Sequence, residues 1–136
     1  MESLSLSVKN DRAEIPRLAQ VVSEFCERNG LSSSVELDLN LVLEEVVINV
    51  MAHGFEDQEP HEIGVSLSLE GGELTVTVED DGIAFNPLEA PEAAIDQPIE
   101  ERRPGGLGIF LVKSLMDELE YRRVGNKNML VMKKST

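Results

Sequence analysis

The chain has 136 residues, long enough for one domain with a real hydrophobic core. Its 26 acidic residues against 12 basic ones give a net charge of −14, which argues against a nucleic-acid or anionic-membrane surface because nothing neutralises phosphate in bulk. No apolar run reaches the roughly 20 residues of a membrane span, no signal-peptide pattern opens the chain, and the lone Cys26 allows no internal disulfide, which together fit a cytoplasmic protein.

Residues 3–8, S-L-S-L-S-V, alternate and predict a strand with one buried face. Asp11 follows as a helix cap, with Glu14 placed to close a capping box. Ile15, Leu18, Val21, Val22 and Phe25 then recur at helical spacing, and Asn29-Gly30 stops that helix. Cys26 falls within it, where a lone thiol usually packs. Cysteine and histidine clusters of the kind that hold zinc are missing from the sequence.

Ser32 to Ser34 offer caps for a second helix that reads L-D-L-N-L-V-L-E-E-V-V-I-N-V-M-A-H-G over 37–54. Val46, Val47, Ile48 and Val50 are β-branched, so this helix needs burial rather than intrinsic propensity to hold it. Gly54 supplies its stop. Glu45, Asn49 and His53 lie four apart, on one strip of an otherwise apolar helix. On that stretch alone, a solvated helix edge is the commoner fate of Glu and Asn. The other reading makes Glu45 a general base and Asn49 an oxygen ligand for a hard cation such as Mg²⁺. His53 is left out of the site, since at a helix end it can simply favour the dipole.

Residues 62–79 form the clearest hairpin: I-G-V-S-L-S-L alternates, E-G-G turns, and E-L-T-V-T-V-E alternates back. The second strand runs into Asp80-Asp81-Gly82-Ile83-Ala84, which is either plain turn chemistry or a binding edge. Residues 86–104 hold four prolines and five acids with little periodicity, a loop long enough to be functional or disordered. Arg102 and Arg103 stand at its far end. Gly105-Gly106-Leu107-Gly108 then opens an amphipathic helix, an arrangement that brings backbone N–H groups close to phosphate. It lacks both the P-loop spacing and the strand context of a dinucleotide-binding unit. Lys113 is placed on the solvated face of that helix. Two last strands, 119–124 and 128–133, flank Gly125-Asn126, with Lys133 and Lys134 in an exposed tail. The order predicts an α+β, two-layer sandwich, with a mixed sheet of about five strands covered on one face by three helices.

Three blocks in this order resemble the histidine-kinase-like, or Bergerat-fold, ATP-binding domains. Glu45–Asn49 is similar to the N-box, Asp80–Ala84 to the first glycine box, and Gly105–Gly108 to the second. The stretch from about 84 to 105 stands where the family has its ATP lid, and the resemblance spans one domain over 1–136. Within that superfamily the chain most resembles the small stand-alone serine/threonine kinases that act as bacterial anti-sigma factors. The resemblance implies ATP and Mg²⁺ as ligands. Asp80 would accept from the adenine amino group, Asn49 would ligate Mg²⁺, and Glu45 would be the catalytic base. Gly82 and Ala84 from the first box, and Gly105, Gly106, Leu107 and Gly108 from the second, would line the nucleotide, with Arg103 as a lid cation. It implies two partners, an anti-sigma factor antagonist phosphorylated on serine or threonine and a sigma factor that is sequestered. A homodimer formed at the edge of the first strand also fits. The alternative is a nucleotide-gated module that sequesters a partner without phosphoryl transfer. Ala84 departs from the family pattern, which has glycine there; alanine is mild at negative φ and strained otherwise.

Overall fold

The serine–leucine alternation at the start of the chain becomes β1 (Glu2–Lys9), with Val8 buried and the serines turned to the open side of the sheet. The computed structural model describes residues 2–53, 61–84, 86, 88 and 106–136, the side chains of residues 53 and 106–109 excepted. After β1, Asp11 Oδ1 accepts the Ala13 N–H at 2.9 Å and starts a short 3₁₀ turn over Arg12–Glu14. The expected capping box does not close. The Asp11 N–H is taken by the Lys9 carbonyl at 2.7 Å, so Glu14 reaches past it to the Lys9 N–H at 3.1 Å and pairs with Arg17 at 3.0 Å.

Helix α1 (Ile15–Arg28) carries Pro16 in its first turn, where the missing N–H has no intrahelical partner to lose. It buries Leu18, Val22, Phe25 and Cys26. Gly30, at φ 66°, ends it, letting the Leu31 N–H return to the Cys26 carbonyl at 2.9 Å. Ser32 Oγ accepts the Val35 N–H at 3.2 Å and caps α2 (Ser33–His53). Leu39, Val42, Leu43, Val46 and Val47 of α2 are all buried, which supplies the packing that its β-branched residues need.

Strands β2 (Glu62–Glu70) and β3 (Glu73–Asp80) form the expected hairpin, with Gly71 and Gly72 at φ 58° and 81° in a two-residue turn. Then come α3 (Gly106–Leu115), β4 (Glu118–Val124) and β5 (Lys127–Ser135). The five strands lie in the order β1-β2-β3-β5-β4. All four neighbouring pairs are antiparallel, which corrects the mixed sheet expected from the sequence. Strands β3 and β4 do run in the same direction, as a crossover through a helix favours. Strand β5 slips between them, so no parallel pair is hydrogen-bonded among the described residues.

The core joins Val8, Ile63, Val65, Leu67, Leu74, Val76, Val78, Leu130 and Met132 from the sheet with the buried stripes of the helices, Val112 and Met116 among them. Lys134 departs from the exposed tail predicted for it. It lies on the core-facing row of β5 at the rim, where Nζ donates to the Leu115 carbonyl at 2.8 Å and pairs with Asp38 at 3.3 Å. It therefore ties the last turn of α3 to the first half of α2. Among the described residues, no helix is long and apolar enough to cross a membrane.

Candidate active site

Asn49 continues the core-facing stripe of α2 and is only 8% exposed. Among the described residues, its Nδ2 is buried without a hydrogen-bond partner. Leaving a buried amide unsatisfied costs about 1–3 kcal/mol, so such a group is a poor choice for stability alone. A half-turn of the amide presents its oxygen in the same place, so the position can serve a donor-seeking or an acceptor-seeking ligand. Glu45, one turn earlier on the same strip, is half-buried, whereas its neighbour Glu44 is exposed. The strip therefore runs from a buried amide to a carboxylate at the rim. His53 closes α2, and its side chain is outside the described residues.

Asp80 is the last residue of β3 and is 6% exposed. Its Oδ1 accepts the Gly82 N–H at 2.9 Å and Asn128 Nδ2 at 3.0 Å. The next residue, Asp81, points the other way, as strand alternation requires, and sits exposed with His61 Nδ1 at 3.1 Å. The two adjacent acids are thus in unlike surroundings: one carboxylate is held inward by donors, the other faces solvent. Gly82 is tied from its other side as well, since Arg123 donates to its carbonyl at 2.9 Å. Ala84 has no positive φ, so alanine is unstrained where the family pattern has glycine.

Gly106, Leu107 and Gly108 form the first turn of α3, where the helix's leading N–H groups have no intrahelical acceptor. Their partial positive charge favours an anion. Gly105, Arg103 and nearly all of the predicted lid lie outside the described residues. At its near end, Asn86 Oδ1 accepts the Leu88 N–H at 2.9 Å. Lys113 is half-buried rather than solvated, and its Nζ donates to the Leu88 carbonyl at 3.3 Å. Helix α2 packs against both α3 and β3, the elements that carry the Gly106–Gly108 turn and Asp80.

The chain as a whole has relatives among known proteins. The model of the histidine kinase-like ATPase domain matches residues 8–134. The chain belongs to that family. Among curated relatives, "Serine-protein kinase RsbW" of Listeria monocytogenes serovar 1/2a is 32% identical over 87% of this chain and 76% of its own length. "Anti-sigma F factor" of Clostridium perfringens is 31% identical over 71% of this chain and 70% of its own. The crystal structure of the RsbU and RsbW domains of Rv1364c from Mycobacterium tuberculosis superposes with a TM-score of 0.71 over 99% of this chain at 15% identity. This chain spans 32% of that one, and the likeness is one of fold.

Within this histidine kinase-like frame, the sequence reading missed Asn128, Tyr121 and Arg123. The signal for Asn128 was present: strand alternation puts it in one row with Leu130 and Met132, a polar side chain in an apolar series. Its hydrogen bond to Asp80 joins residues 48 apart in sequence and depends on β5 lying beside β3. No local pattern carries that adjacency.

Proposed function

We propose that this protein is an ATP-binding anti-sigma factor with serine/threonine kinase activity, which phosphorylates an antagonist protein and sequesters a sigma factor. The observation that carries the reading is the Asn49 amide: buried, without a partner among the described residues, and one helical turn beyond Glu45. A group kept at that cost is explained by a ligand that completes it. Among the described residues, no three His, Cys, Asp or Glu side chains converge on a metal. A hard cation held here would take an oxygen from Asn49 with others from phosphate and water, as suits Mg²⁺. When bound, Mg²⁺ neutralises charge on the transferring group.

The roles of this chain's residues follow. Asp80 receives the amino group of adenine. Gly82 and Ala84 let the loop after β3 run beside the base. Gly105, Gly106, Leu107 and Gly108 bring the leading N–H groups of α3 to the phosphates, and Arg103 adds a cation from the 84–105 lid. Glu45, half in solvent at the rim, accepts the proton of the antagonist's hydroxyl as its oxygen bonds to the γ-phosphorus and the bond to the β-phosphate oxygen breaks. The relatives named serine-protein kinase and anti-sigma F factor support the two halves of this assignment. A phosphate added to the antagonist disfavours its complex and frees the kinase for the sigma factor. We place the protein in the cytoplasm, as a homodimer joined along the exposed edge of β1.

The test is transfer of label from [γ-³²P]ATP to candidate antagonist proteins, with wild type and Glu45→Gln side by side. Glu45→Gln keeps size and much of the hydrogen bonding but cannot accept a proton. Transfer should fall by about 10²–10⁴ with nucleotide affinity nearly unchanged. Equal transfer by wild type and variant would refute the role of Glu45. A wild type that binds ATP and a protein partner yet transfers nothing would be a nucleotide-gated binding module instead.

A further inference from the structure

The carboxylate of Asp80 is oriented by a relay that crosses three strands. Its Oδ1 accepts the Gly82 N–H at 2.9 Å and Asn128 Nδ2 at 3.0 Å, and Asn128 sends its other amide hydrogen to the Ile83 carbonyl at 2.7 Å. A side-chain amide has two hydrogens, so Asn128 keeps none for a ligand. Asp80 and Asn128 are each 6% exposed, which makes any mispaired group there costly. Tyr121, on β4, donates its hydroxyl to Asn128 Oδ1. Turning the amide over would set its oxygen against two acceptors, the Asp80 carboxylate and the Ile83 carbonyl. Asp80 and Ile83 thereby select the amide orientation, and Tyr121 anchors its oxygen within the relay.

We propose that Tyr121 and Asn128 are positioning residues that make this site select an amino-purine over an oxo-purine. Tyr121 anchors the amide oxygen, the amide holds Asp80 Oδ1, and Asp80 Oδ2 is the acceptor that remains for the ligand. The inference rests on the reading of Asp80 as the base-binding residue. Adenine offers an exocyclic amine to that oxygen. Hypoxanthine and guanine offer a carbonyl, which meets a second acceptor. An uncommitted Asn128 hydrogen would satisfy that carbonyl and erase the difference. With both hydrogens directed at Asp80 and Ile83, it cannot. Neither residue needs to touch the nucleotide for this; both act through Asp80.

Titration calorimetry with Mg²⁺-ATP and Mg²⁺-ITP tests it, because the two nucleotides differ at the amino position of the base and its adjoining ring nitrogen. Wild type should prefer ATP by on the order of a hundredfold, since a buried acceptor left facing an acceptor is strongly selected against. Tyr121→Phe combined with Asn128→Leu removes the relay without orphaning the hydroxyl, and should shrink the ATP-over-ITP ratio about tenfold. Tyr121→Phe alone deletes one hydroxyl and should shrink it about threefold. If the double variant does not fold, the single variant decides by the same ratio. A merely structural relay would weaken both nucleotides alike; an unchanged ratio in a folded variant overturns the inference while the ATP reading stands. A wild type that binds neither nucleotide overturns the ATP reading, and this inference with it.

Discussion

Replacing Asn49 with leucine should make the nucleotide-free protein more stable while abolishing its function. The side chain is 8% exposed, and its Nδ2 has no partner among the described residues, so the native state carries most of the desolvation cost of an amide. Removing that unsatisfied group is worth about 1–3 kcal/mol. Leucine is the better helix former by a few tenths of a kcal/mol at this α2 position. Imperfect shape match returns up to roughly 1.5 kcal/mol. The net gain is about 1–2 kcal/mol, a rise in Tm of about 3–8 °C for a chain of this size. Urea and thermal unfolding in nucleotide-free buffer measure it directly. Added Mg²⁺-ATP should then reverse the order. At a hundredfold excess over Kd, a ligand stabilises wild type by about 2.7 kcal/mol, and the variant, lacking the cation ligand, gains nothing. If Asn49→Leu is less stable than wild type without nucleotide by 1 kcal/mol or more, Asn49 is a satisfied structural amide and the reasoning is wrong.

Two further predictions concern the scaffold. Lys134→Met loses a charged hydrogen bond of 2.8 Å to the Leu115 carbonyl and a 3.3 Å pair with Asp38; with the partly exposed ion pair discounted, unfolding in urea should show a loss of about 1.5–2.5 kcal/mol, and no loss would mean that α2 and α3 do not depend on it. Burial raises the Cys26 thiol to about 11, which leaves it protonated at neutral pH. At pH 8 only about one thiol in a thousand is ionised, so a thiol reagent should react slowly with the native protein and promptly in denaturant, whereas equal rates would place Cys26 at the surface.

Much of this architecture is legible in the sequence because it is written locally. The serine–leucine alternation of β1, the paired glycines after β2 and the valine-rich stripe of α2 each state a period or a turn within a few residues. The helical period of α2 and the alternation of β3 fall where expected, with Asn49 buried and Asp80 at a strand end. What failed depends on neighbours that are distant in sequence. Strand order is such a property, and the insertion of β5 between β3 and β4 turned an expected mixed sheet antiparallel. Lys134 and Lys113 were read as solvated because lysine usually is. Both instead lay their stems along the rim of the core and end on main-chain carbonyls, at Leu115 and Leu88. Glu14 missed its capping partner because the chain turns back at Lys9 before the helix begins. Asn128 escaped because its meaning lies in the register Asp80↔Asn128, which only the folded sheet creates.

If Asp80 and Asn49 hold an adenine nucleotide with its cation, titration calorimetry of Mg²⁺-ATP into wild type and Asp80→Asn will show it. The substitution exchanges an acceptor-only carboxylate for an amide of the same shape. Loss of one buried, charge-assisted hydrogen bond is worth about 1.5–3 kcal/mol, so affinity should fall roughly tenfold to a hundredfold in a protein that still unfolds cooperatively. Equal affinity in wild type and Asp80→Asn, or no binding by wild type at all, would contradict that role for the two residues.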